Sequence, residues 1–291
     1  MSKYKTIQSP IDSRDYTMQT VGLQPVELPE EYEPKKRRPV KYQNWSSCCV
    51  AFASCTTMEY CEQKLGLVPN DYSRGMIYLN RNNEDVDVDG MYTRKALKIL
   101  QKEGTCQYHE YRWAHNTHDV LFDIGEGKEE KLEPLATPFK IKSYFSLNSI
   151  EEIKQTVYQQ GACICCYPVY NSFENVLSIP ENYDKKHGRH AVTCIGWRKE
   201  GFILQDSYSE LAHFFSSVGP GCFLMPFEYY EAMRTTLEFW GIIVNPDAPR
   251  KPASSGEKTM NKLYPIAVPF AEAWYWVKTA FQKLRQKLGN I

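Results

Sequence analysis

The stretch YQNWSSCCVAFAS, residues 42–54, decides how this chain is read. Two adjacent cysteines, Cys48 and Cys49, stand before a run of small and apolar residues. From Cys49 to about Leu65 the apolar positions Val50, Ala51, Met58, Tyr60 and Cys61 recur at helical spacing, and Gly66 closes the segment. Ser46 or Ser47 is placed to cap that helix. Four readings of the cysteines are open: core packing, a metal half-site, a disulfide partner, or a nucleophile at a helix start. The last has a physical basis. A thiol reacts as thiolate, and the unpaired N–H groups at a helix N-terminus stabilise an anion there. Acyl transfer also needs an oxyanion donor, which a Gln side chain can supply, and Gln43 lies six positions before Cys49.

Working outward, the 291 residues are 42% hydrophobic and 13% aromatic, enough to bury a substantial core. Lys+Arg and Asp+Glu number 35 each, so no net charge draws the chain to nucleic acid. The opening MSKYKTIQSPIDSRDY has no apolar segment of signal-peptide type, and no run of about 18 apolar residues predicts a membrane span. Ten cysteines in that setting predict free thiols in a reducing compartment, cytoplasmic or reached by delivery into a host cell.

Residues 1–27 read as a polar, extended lead-in that covers a cleft. The basic run Lys35–Arg38 reads as a solvated loop. Further helices are expected over Ser73–Asn80, from Thr93 to about Lys102, and over about Ser149–Gln160, with residues 115–138 as loop. After about residue 139 the runs ACICCYPVY, HAVTCIGW, GFILQDSY, GCFLMPF and FWGIIV read as strands of an antiparallel sheet or barrel. Helices first and strands second predict an α+β domain over 28–247, with a cleft between its halves. Residues 248–268 read as a linker. Residues 269–291 read as a basic amphipathic helix that packs on its own domain or docks on a partner or membrane surface.

Gln43-Asn44-Trp45-Ser46-Ser47-Cys48-Cys49-Val50-Ala51-Phe52 resembles the Q-G-x-C-G-S-C-W-A-F signature of papain-like cysteine peptidases, with Gln43, Cys49, Ala51 and Phe52 in register. Asp89-Gly90-Met91, the helix at Thr93 and Gly104 are similar to that family's next segment. Arg189-His190-Ala191-Val192 with Gly196 resembles its histidine strand, and Gln205-Asp206-Ser207-Tyr208 the segment carrying its orienting residue. GPGCFLMPFEYY resembles its closing hairpin and Phe239-Trp240 its final strand, so the likeness runs over roughly residues 28–245. It implies a fold of a helical half and an antiparallel β half. It also implies a thiol endopeptidase with Cys49 as nucleophile, His190 as acid and base, Asp206 as orienter and Gln43 as oxyanion donor. Asp89, Gly90, Met91 and Arg189 would bind an extended peptide or protein substrate, and no cofactor is implied.

Departures from the signature are Asn44, Ser46, Val50, Asp206 and Tyr208. Asp206 stands where asparagine is usual, and its charge should raise the histidine pKa and favour a thiolate–imidazolium pair. Tyr208 stands where tryptophan is usual and is expected to shield that hydrogen bond less well. The acidic loop Glu84–Asp89 reads either as a solvated loop or as a bias toward basic substrates. Two other functions remain open: an inactive homologue serving as a binding module, and a deamidase, isopeptidase or transferase using the same residues. CICC at 163–166 has no partner pair for zinc, and the other histidines, His213 among them, read as surface or packing residues.

Overall fold

The computed structural model describes residues 5–43, 46–81, 90–111, 128–170, 175–208 and 212–250. These belong to the unit 1–250; residues 251–291 form a second unit. Most of the expected linker and the whole expected tail helix therefore lie outside the described residues.

The chain enters its helical half through α1, Cys49–Lys64. Its residues are buried from Cys49 through Glu62 on every face, as the all-round apolar and small sequence requires. A Schellman turn ends it: Gly66 N–H donates to Gln63 O at 3.0 Å and Leu67 N–H to Glu62 O at 3.0 Å. Gly66 supplies the left-handed φ of 74° that this turn demands. Ser73 caps α2, Arg74–Leu79, by accepting from Met76 N–H. Helix α3, Thr93–Lys102, buries Ala96, Leu97, Ile99 and Leu100 against α1.

Buried charge under α1 is paired. Glu59 receives Arg74 at 2.8 Å and Arg38 at 3.4 Å. The basic run is half as expected: Lys35 and Lys36 are exposed loop residues, whereas Arg38 is anchored on Glu59 and Arg37 pairs with Glu33 at 2.6 Å. The stretch expected as loop over 115–138 ends in a helix, α4, Lys128–Ala136, which carries Pro134.

The sheet half begins with a strand that local pattern did not predict, β1, Ser143–Leu147. Helix α5, Ile150–Gln160, follows; Ser149 caps it and Glu152 reaches back to the Asn148 N–H at 2.7 Å. Then come β2 (Cys163–Tyr170), β3 (Lys186–Trp197), β4 (Gly201–Gln205), β5 (Cys222–Pro226), α6 (Phe227–Met233) and β6 (Glu238–Ile243). All pairings are antiparallel in the order β1-β6-β2-β3-β4-β5. Period-two alternation divides the sheet's side chains between two cores. Ile164, Cys166 and Ala191 face α1, whereas Cys163, Cys165, Tyr167 and Val192 pack with Phe202 and Phe223. The result is the expected α+β arrangement of a helical half against an antiparallel sheet.

The lead-in is tied down along its length. Met18 is buried in the second core, and Val21, Leu23 and Leu28 pack against it. Gln155 on α5 brackets Val26, accepting from its N–H at 3.0 Å and donating to its carbonyl at 2.7 Å. Among the described residues no helix is long and apolar enough to cross a membrane.

Candidate active site

Three elements meet at one point. Helix α1 brings Cys49 as its first residue, β3 brings His190, and the end of β4 brings Asp206. Antiparallel pairing sets the last two: Thr193 lies opposite Gln205, so the β4 chain returns alongside the histidine strand. The segment before α1 is stitched to the same place. Gln43 N–H donates to Ser207 O at 2.8 Å, and Tyr42 bridges Tyr208. The helix cap differs from expectation. Cys48 is the N-cap and makes no side-chain cap bond, while Ser46 Oγ donates to Gln43 O at 2.6 Å and braces the turn.

Cys49, His190 and Asp206 come together in the buried interior, and His190 and Asp206 are hydrogen-bonded. His190 Nε2 and Asp206 Oδ1 are 2.8 Å apart. The Cys49 thiol and the same imidazole perturb each other's ionisation. All three groups are at most 5% exposed. Burial alone would raise the Cys49 thiol, but hydrogen bonding and charge from His190, with help from the Thr6 hydroxyl, bring it below its ordinary value. Burial alone would lower His190; the Asp206 charge and hydrogen bond, joined by Cys49, lift it to about 9. Asp206 is held far below the usual carboxylate range because the two imidazoles beside it outweigh its burial. These directions favour a thiolate facing an imidazolium.

Cys55, Cys61, Cys106, Cys163, Cys165, Cys166 and Cys222 show the opposite. Burial pushes Cys61 up to about 12 and Cys106 and Cys222 up to about 11.

Tyr208 does shield the histidine. Its ring stacks on His190 at 5.2 Å with 25° between planes, and Tyr167 meets the imidazole edge-on at 6.0 Å. Gln43 sits near the site, but its amide is engaged. Nε2 donates to Ser46 O at 2.9 Å and to Tyr208 Oη at 3.2 Å, while Oε1 accepts from Ser207 Oγ at 2.5 Å. An oxyanion would have to replace one of those acceptors.

The groove beside Cys49 holds the chain's own N-terminal segment. Thr6 Oγ1 lies 2.9 Å from the Cys49 sulfur. Thr6 N–H donates to Arg189 O at 3.2 Å and Ile7 N–H to Met91 O at 3.3 Å, in parallel bridges with both halves. Gly90, at φ 108°, lets the Lys5 backbone come so close that a Cβ would sit 1.8 Å from Lys5 O. Further along, the Arg189 guanidinium donates to Gln8 Oε1 at 3.3 Å, and Ser9 N–H donates to Glu238 at 2.6 Å. Gly90, Met91 and Arg189 thus all contact residues 5–8. Asp89 and the acidic loop before it lie outside the described residues.

One neighbour escaped the sequence reading. His213 Nε2 is 3.1 Å from Asp206 Oδ2. It follows the aspartate by seven positions across a loop, where no periodicity signals contact.

Comparison with known proteins agrees with this architecture. Crystallised xylellain, a cysteine protease from Xylella fastidiosa, superposes with a TM-score of 0.70 at 23% identity, over 84% of this chain and 97% of that one. ProCathepsin B S9 from Trypanosoma congolense gives 0.65 at 12% identity, over 84% and 86%. The Carica candamarcensis protease CMS1MS2, solved with E-64, gives 0.56 at 14%, over 75% and 100%. No curated protein sequence matches. The family described as papain family cysteine protease matches residues 28–211, most of the chain, and the protein belongs to that family.

Proposed function

We propose that this chain is a thiol endopeptidase acting through Cys49, His190 and Asp206. The observation that carries the reading is one buried imidazole, 2.8 Å from a buried carboxylate, that draws the Cys49 thiol below its ordinary value. Cys49 attacks a peptide carbonyl as thiolate, forming the C–S bond. The Cys49 backbone N–H at the helix start, with the Gln43 amide once it leaves Tyr208, receives the oxyanion. His190 donates its proton to the leaving amine as the C–N bond breaks. The neutral imidazole then takes a proton from water, whose hydroxide displaces the sulfur and releases the acid. Asp206 keeps the imidazole oriented throughout.

With residues 5–9 in the groove, this machinery is covered. The segment is held by backbone hydrogen bonds on both sides and by a hydroxyl on the nucleophile itself. We read it as a latch that must leave before substrate enters. Removing residues 1–9 should raise peptide hydrolysis while sparing Met18 and the packing beyond it. Unchanged kinetics would contradict the latch.

The engaged Gln43 amide favours a second reading, an inactive homologue used for binding. E-64 labelling of the full chain and of the 10–291 form, beside Cys49→Ala and Cys48→Ala, separates the two. Adduct on Cys49 with Cys49-dependent cleavage supports the peptidase; no adduct in either form supports the binding module. Mass spectrometry of products decides between main-chain cleavage and deamidation, isopeptide hydrolysis or transfer.

A further inference from the structure

Asp206 is held at both oxygens. Oδ1 receives His190 Nε2 at 2.8 Å and the Ser207 N–H at 2.7 Å. Oδ2 faces His213 Nε2 at 3.1 Å, and the other ring nitrogen of His213 faces Asn175 Oδ1 at 3.2 Å. Both imidazole nitrogens thus have a polar partner within hydrogen-bond distance. The ring packs 4.9 Å from Phe223, and its side chain is only 10% exposed. His213 also adopts φ 57°, the left-handed region, at a cost of roughly 1 kcal/mol for a residue with a Cβ. A residue bent against its backbone preference, aimed at a buried carboxylate and braced from behind, has a structural reason to be there.

We propose that His213 is a positioning residue: it holds Asp206 Oδ2 so that Oδ1 stays on His190, and it takes up part of the carboxylate charge on the side away from that imidazole. An asparagine orienter carries no net charge to share. An aspartate does, and alone beside His190 it would bind the imidazolium proton more tightly. The catalytic consequence rests on the peptidase reading; the shared carboxylate does not. The titratable or charged groups facing this cluster are Cys49 from α1, Tyr167 from β2, Tyr208 beyond β4, and Cys222 from β5 with Arg37 beside it at 3.6 Å.

The test follows the His190 imidazole by NMR against pH in the full chain, with histidines isotopically labelled. His213→Phe keeps a ring against Phe223 but offers Asp206 no donor, whereas His213→Gln can still donate an amide N–H. If the Phe variant does not fold, His213→Asn replaces it. Asparagine tolerates the left-handed backbone and is too short to reach Oδ2. The donorless variant should raise the His190 titration midpoint by about 1 pH unit, the lower end of what one hydrogen bond to a charged group supplies. Its kcat should fall about tenfold with KM nearly unchanged, by the same energy. His213→Gln should return both toward wild type. A folded donorless variant with an unmoved His190 midpoint overturns the proposal, as does a Gln variant displaced as far as the donorless one. The NMR arm needs no turnover. A wild type that cleaves nothing yet shows the displacement and its rescue sinks the peptidase reading alone. An active wild type whose donorless variant matches it in both readouts sinks the role of His213 alone.

Discussion

Cys49 at the start of α1 and Cys165 in the middle of β2 are both fully buried thiols, yet they are driven in opposite directions. Cys165 sits in a packed sheet, where burial and neighbouring thiols push it well above its ordinary value. Cys49 suffers the same burial, but an imidazole backed by a carboxylate reverses the outcome. Burial makes a thiol inert; a hydrogen-bonded cation beside it makes a thiolate. What stands next to each sulfur, and not burial, therefore sets Cys49 apart from Cys165.

The sharpest way to break that contrast is to remove the sulfur. Cys49→Ala should lower peptide hydrolysis by about 10³-fold or more in steady-state assays, because no other group replaces the nucleophile. Cys48→Ala should leave kcat within about threefold, since Cys48 contributes its backbone as N-cap and its side chain makes no cap bond. Loss in the second variant alone would shift the nucleophile by one residue.

Next comes the orienter. Asp206→Ala should cost about 10²–10⁴-fold in kcat by freeing the imidazole. Asp206→Asn should cost far less and should move the alkaline limb of the pH–rate profile below its wild-type position near pH 9, where the raised His190 loses its proton. An unmoved alkaline limb would show that the carboxylate charge does not reach the histidine.

A stability readout follows from the same shifts. His190, raised to about 9, contributes fully below the unfolded histidine value of about 6.5, and that contribution is lost as pH rises through about 9. Asp206, depressed, contributes above the ordinary carboxylate range and loses its contribution only as pH falls below it. Chemical denaturation should thus show wild type losing stability between about pH 6.5 and 9 relative to His190→Ala. The smallest effect belongs to the inert partner: Cys165→Val should leave activity unchanged and alter stability by about 1 kcal/mol, a near-isosteric apolar exchange.

Local signals made much of this legible. Helices α1, α3 and α5 carry apolar periodicity and recognisable ends, and β2 to β6 are short β-former runs between breakers. Gln43, Cys49, His190 and Asp206 stand in motif segments that can be read without coordinates. Strand β1 was not legible, because SYFSL is mixed in character and is a strand by virtue of pairing with β6, about a hundred residues away. Helix α4 was masked by its charge and by Pro134. The partners of the site carried no periodic signal. The Tyr208 contact with Gln43 and the Thr6 hydroxyl on Cys49 are set by segments returning over long separations, and His213, only seven positions from Asp206, by irregular backbone without periodicity.

The central claim is that Cys49 is ionised by His190. Thiolate absorbance near 240 nm, recorded from pH 4 to 10 as the difference between wild type and Cys49→Ala, tests it directly. The account predicts a thiolate signal already present at neutral pH and displaced toward an ordinary thiol titration, near pH 8.5, in His190→Ala. A difference signal that first appears near pH 8.5 in the wild type, unchanged by His190→Ala, would contradict it.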